Sequence, residues 1–193
     1  MSNKLQLNKK YFLLYKLFNS SFTGLSVGIV FIIYKPLEPI VYSIGGIALS
    51  IFSLFLATFY DRLLNIINFF RISMIVETLM ILTLITFLFL KISFISAIII
   101  YCIYQITFIF GGYLVRAETL VAKEKNYLGR IDVSKNTGYL IGLGMSLLSY
   151  QVMEFFYKID DSEKQIEVLH YPLFFLQLII VSLLILSFNR KVS

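Results

Sequence analysis

Six apolar runs, each about twenty residues long and separated by short polar turns, constrain this chain more than any other feature. A helix needs roughly 20 apolar residues to cross a ~30 Å hydrocarbon core. In lipid, a helix is the one single segment that satisfies its own backbone polar groups. The runs therefore read as six transmembrane helices, at about 12–33, 40–60, 69–90, 94–115, 136–156 and 171–188. The turns between them carry the expected signals. Lys35-Pro36-Leu37-Glu38-Pro39 separates the first two, because proline ends one helix and opens the next. Lys91-Ile92-Ser93 separates the third from the fourth, and Pro172 opens the last. The first run is too long for a secretory signal and lacks a small-residue cleavage pattern. The expected fold class is an all-α integral membrane protein, one domain over residues 1–193.

Charge then sets the orientation. Six crossings put both termini on one face. That face holds 13 of the 17 Lys and Arg, and only Lys35, Lys91, Lys158 and Lys164 lie on the other. The positive-inside rule predicts cytoplasmic N- and C-termini in a cell (inner) membrane. The net charge of +6 is thereby explained by topology, and no nucleic-acid partner is expected. Only 15% of residues are charged, against roughly a quarter in soluble domains.

Catalytic and metal chemistry finds little to work with. The one cysteine, Cys102, lies in an apolar run, so no disulfide forms within the chain. His170 is the sole histidine and falls at the edge of the last run. Asp160, Asp161, Glu163 and Glu167 lack a calcium-loop spacing and read as a solvated loop. No catalytic residue, metal or cofactor is expected, and the chain does not read as an enzyme.

The polar residues inside the runs are the candidate sites, each with a plainer reading beside it. Glu77 lies within the third run, where a charge at the bilayer centre costs ~2.5–3.5 kcal/mol on insertion scales. It is a candidate proton or cation coupling site, or a structural partner of Arg71 or Arg62. Asn19, Ser20 and Thr23 of the first run, with Gln105 of the fourth, line a substrate path or bond to their own helices. Asp61 and Arg62 end the second run as snorkelling caps, or form a gating charge cluster with Arg116 and Arg130. Gly138 and Gly142 are spaced for close helix packing.

Two stretches also carry a family likeness. Ala57-Thr-Phe-Tyr-Asp61-Arg62 closes the second helix. Glu124, Gly129-Arg130, Gly138 and Gly142 follow the fourth, across a longer basic loop. With six helices, these resemble the N-terminal half of a major facilitator superfamily transporter. The resemblance implies inverted three-plus-three repeats, a cavity lined by helices 1 and 4, and a charge cluster that opens and closes one face. It also implies a small-molecule solute, unidentified here, and alternating access against a second bundle: a homodimer or a second transporter half, surrounded by membrane lipid. The alternative expectation is a non-transporting membrane protein of interaction or immunity type, or a truncated transporter remnant.

Overall fold

The structure is a computed structural model that describes residues 4–191. Residues 1–3, part of the basic N-terminal stretch, lie outside the described residues, as do the side chains of Lys4, Arg190 and Lys191, which enter the charge tally. The order is β1 (Lys4–Leu7), α1 (Lys9–Ile33), α2 (Pro39–Ala57), the one-turn α3 (Tyr60–Leu63), α4 (Ile66–Leu90), α5 (Phe94–Ala122), α6 (Lys125–Phe155), α7 (Ser162–Leu186) and β2 (Phe188–Lys191). Five of these helices, α1, α2, α4, α5 and α7, have the length and apolarity to cross a membrane. They are the helices of a multi-pass membrane protein.

Helix starts follow from their caps. Asn8 accepts from the backbone of Lys10 and Tyr11, and Asn65 from Asn68. Ser93 and Ser96 form a reciprocal capping box, while Pro39 opens α2 with its φ already helical. Lys91 and Lys123, at φ 51° and 60°, end α4 and α5. Their cations sit where the helix dipoles are negative.

The second helix ends at Ala57, so Asp61 and Arg62 lie in the separate α3 and do not close it. Three other boundaries differ most from the sequence reading, for one reason. α5 runs on to Ala122, α6 starts at Lys125 and α7 starts at Ser162. Hydropathy marks where a helix is apolar, not where it ends. Arg116–Ala122 is rich in helix formers, and neither it nor Lys125–Lys135 contains a proline to stop a helix, so the helices continue beyond their apolar parts. The long basic loop expected between the fourth and fifth helices is therefore two helix ends and a tight turn. Asp161 caps α7 upstream of Pro172, which lies inside the helix instead of opening it. A further departure is the antiparallel pairing of β1 with β2, Leu7 opposite Phe188. It brings the two chain ends to one end of the bundle.

The principal helix pairs are α1–α6, α4–α5, α1–α7, α4–α7 and α2–α5. Exchanging α1, α2 and α4 for α5, α6 and α7 maps this set onto itself. α1 and α6 run parallel in a continuous register. Tyr127 donates to the Lys9 carbonyl at 3.0 Å and Ser134 to that of Leu13 at 2.7 Å. One turn and two turns on, Gly138 and Gly142 lie against the carbonyls of Leu17 and Ser21. α1 returns the contact through Gly24, where a Cβ would stand 2.9 Å from Leu143 N. α2 is the opposite case: it buries no residue, and Leu54 is 72% exposed.

Candidate functional site

Glu77 sits near the middle of α4 and is 1% exposed. Its Oε1 accepts from Tyr15 Oη at 2.6 Å and Asn19 Nδ2 at 2.8 Å. Its Oε2 accepts from Gln177 Nε2 at 2.7 Å, and the same nitrogen donates to the Glu77 carbonyl at 3.1 Å. Tyr15 and Asn19 are one turn apart on α1, so both reach the same neighbour. Three helices thus fix one carboxylate with three neutral donors. Among the described residues no Lys, Arg or His forms an ion pair with it. These three donors suit an ionised carboxylate, because hydrogen bonds to an ionised group are worth roughly twice neutral ones.

One face of Glu77 borders a cavity of about 360 Å³ between α1, α4, α5 and α7. Asn19, Thr23, Ser26, Thr107 and Gln177 supply polar atoms to its wall. Phe22, Val30, Met80 and Tyr104 supply most of the rest. Its mouth opens beside Val27 and Phe31 of α1 and Phe108 of α5, all exposed. Gln177 is fully buried, and its Oε1 has no hydrogen-bond partner among the described residues.

A second polar set lies toward the chain ends. Glu118 of α5 pairs with Lys16 of α1 and, at 3.0 Å, with Lys135 of α6. The Lys16 ammonium also lies over the rings of Phe12 and Tyr15, at 5.2 and 5.3 Å. Tyr15 therefore touches both sets, its hydroxyl on Glu77 and its ring under Lys16. On the far side of the bundle, His170 is buried and stacks on Phe87 at 3.6 Å between ring centroids, with Nδ1 2.8 Å from the Ile166 carbonyl.

The residues singled out from sequence fall in several places. Asn19, Thr23 and Glu77 come together at the cavity. Ser20 is half-buried and not part of that wall. Gln105 faces α2 across a separate apolar groove with Ile44, Gly45 and Tyr101, and its Oε1 lacks a partner among the described residues. Glu77 is not joined to Arg71 or Arg62, both of which are exposed. Asp61, Arg62, Arg116 and Arg130 are all exposed and form no ion pair with one another among the described residues. Arg116 instead lies 5.3 Å over the Tyr60 ring, and Arg130 lines a groove with Lys9 and Lys10. Gly138 and Gly142 lie in the α1–α6 contact.

Tyr15, Lys16, Glu118 and Gln177 escaped the sequence reading. Each left a signal. Tyr15 stands four residues before Asn19, Lys16 and Gln177 interrupt apolar runs, and Glu118 follows Arg116 in what is a continuing helix. No protein-family model, no curated protein and no solved structure matches this chain.

Proposed function

We propose that the chain is a half-size secondary transporter or transporter subunit for a small solute, resembling a major facilitator half and acting as a dimer or with a second bundle. One observation carries this reading: a buried carboxylate, held by three helices, forms part of the wall of an open cavity of about 360 Å³. Ionisable groups inside a membrane are costly and mark ion or solute paths. Glu77 is the coupling group, able to take a proton or cation as the solute comes and goes.

The reading takes α6 as a sixth crossing beside the five apolar spans. α6 is less apolar than the other long helices because its first half carries Lys125, Arg130, Asp132 and Lys135. Yet it runs parallel to α1 from Tyr127 to Gly142, so a membrane that α1 crosses encloses α6 as well. Its outward face is polar at Arg130, Asp132, Asn136 and Thr137 and turns apolar from Tyr139 on, with Leu140, Leu147 and Phe155 exposed. An even number of crossings also agrees with paired chain ends. The pairing of helices, which maps onto itself under a three-for-three exchange, is what an inverted repeat produces. The 13-to-4 distribution of Lys and Arg supports cytoplasmic termini. Alternating access rocks one bundle against another, so a partner bundle is required.

A reading as a non-transporting interaction subunit draws on α2, a spanning helix with no buried residue and therefore a whole surface for a neighbour. Reconstituted vesicles on a solid-supported membrane separate the two. A transporter gives solute-evoked currents from a panel of amines, amino acids, sugars and carboxylates, and loses them in Glu77→Gln. Silence across the panel from protein shown to be dimeric, or from a complex with a second polytopic chain, rejects transport.

A further inference from the structure

We infer that the cavity beside Glu77 is a binding site for an organic monocation with a ring-bearing apolar body. The inference rests on the transporter reading for its setting and on the cavity itself for its chemistry.

Charge is the first argument. Glu77 is the one acidic side chain in the wall, and no Lys, Arg or His shares it among the described residues. Lys16, whose field reaches Glu77, lies outside the wall and is engaged with Glu118. A cation in the cavity would be the direct counter-charge that the carboxylate lacks. An anion would face that carboxylate in a low-dielectric site with no cation in the wall to offset it.

Hydrogen-bond balance is the second. Tyr15 Oη, one N–H of Asn19 and both N–H groups of Gln177 are taken up by Glu77. What remains unpaired is an acceptor, the fully buried Gln177 Oε1. A buried acceptor without a donor costs about 1–3 kcal/mol. The oxygen has no open surface as it stands; a small shift of the Gln177 side chain toward the cavity would let a ligand's N–H or positive centre relieve that cost, which a ligand offering only acceptors would not.

Size and wall chemistry are the third. A volume of about 360 Å³ lies inside the range of roughly 300–1,000 Å³ typical of small-molecule sites. It is too large to hold a bare ion, and Phe22 and Val30 offer an ion no ligand atoms. Tyr104 and Phe108 add aromatic faces, which attract cations and accept apolar rings.

Tetraphenylphosphonium and tetraphenylborate test this directly, since they share size and shape and differ in the sign of charge. Binding of each is measured by equilibrium dialysis on the full chain in nanodiscs, with empty nanodiscs subtracted. The expected result is saturable binding of the phosphonium alone. Glu77→Gln is expected to weaken it about tenfold or more, the usual consequence of removing one side of a buried charge pair. Thr23→Trp keeps Glu77 and fills the exposed mouth; it too should abolish binding, which protects the test if Glu77→Gln folds poorly. Equal binding of the borate, or full binding by a folded Glu77→Gln, overturns the proposal. Because no gradient is applied, the two readings fail separately. Phosphonium binding without flux of any solute defeats transport and leaves the site. Flux of an anion or a neutral sugar, with no phosphonium binding, defeats the site and leaves transport.

Discussion

The α1–α6 and α2–α5 pairs occupy equivalent places in the bundle, yet they are built in opposite ways. α1 and α6 meet backbone to backbone through Gly24, Gly138 and Gly142. α2 meets α5 through a side chain, with Tyr101 lying across Gly45 and its hydroxyl 3.4 Å from the Tyr42 carbonyl. In lipid, burial of apolar surface gives no net drive to bring helices together. Close approach through small residues supplies van der Waals contact instead. The tight pair can therefore hold fixed geometry, and the loose pair cannot. The polar chemistry follows this division. Tyr15, Lys16 and Asn19 lie on α1 and Lys135 on α6, while α2 contributes to neither polar set.

The largest effects should come from filling the tight contact. A Leu at Gly138 or Gly142 would drive its Cβ into the carbonyl of Leu17 or Ser21, and backbone cannot step aside as a side chain does. Overpacking typically costs about 1–3 kcal/mol, and a forced separation of helices lies at or above that upper end. Gly138→Leu and Gly142→Leu should lose most folded protein on size-exclusion chromatography. Gly144→Leu on the same helix and Gly46→Leu on α2 meet nothing within 4 Å and should behave as the parent. Normal melting of Gly142→Leu would remove the contrast between the two pairs.

Next in size is the buried charge set that ties α1 to α5 and α6. Lys16→Met leaves Glu118 with Lys135 alone, and should destabilise by about 3 kcal/mol, the low end for a broken buried pair. Adding Glu118→Leu should recover most of that loss, since uncharged packing often replaces a buried pair at little cost. Thermal melts of the single and double variants in detergent measure both. Additive losses would mean that the α1–α6 unit does not depend on this set.

Glu77 tests whether the site borrows its rigidity from α1. Glu77→Leu strands the Tyr15, Asn19 and Gln177 donors and should cost about 1–3 kcal/mol. Glu77→Gln should cost less, because the Gln177 amide can turn its unpaired Oε1 toward the new NH2 group. Melting temperatures in the order parent, Gln, Leu agree with this. Equal melting of all three would show that the three hydrogen bonds add no net stability.

The apolar runs made the membrane helices legible, because length and hydropathy depend on local composition. Helix ends were less so: Arg116–Ala122 is polar yet helical, and hydropathy does not separate a polar helix end from a loop. Glu77 was legible as a costly charge, and Asn19 and Thr23 as polar breaks on α1. Their partners were not. Gln177 lies 100 residues from Glu77, and such pairing depends on which helices become neighbours. Pairing is set by shape as much as by letters. Gly45 and Gly142 read alike in sequence, but one faces a movable tyrosine and the other a fixed backbone.

The smallest effect, and the one that probes the loose pair, comes from Gln105. Its Oε1 has no partner among the described residues, and it faces the groove beside α2. Replacing an unpaired polar group by an apolar one of similar shape is neutral or mildly stabilising, within about 1 kcal/mol. Gln105→Leu should therefore melt at or slightly above the parent temperature. Gln177→Leu on α7 offers the matched case at the Glu77 site. It also removes an orphaned oxygen, but with it the donor that holds Glu77 Oε2, so it should melt lower. If Gln105→Leu is the more damaging of the two, α2 is held by a polar contact with a neighbouring chain. Photobleaching step counts in nanodiscs would then be lower in that variant than in the parent. If the order holds, the orphaned oxygen on the loose side serves no contact, and α2 packs against lipid or a partner through its apolar face.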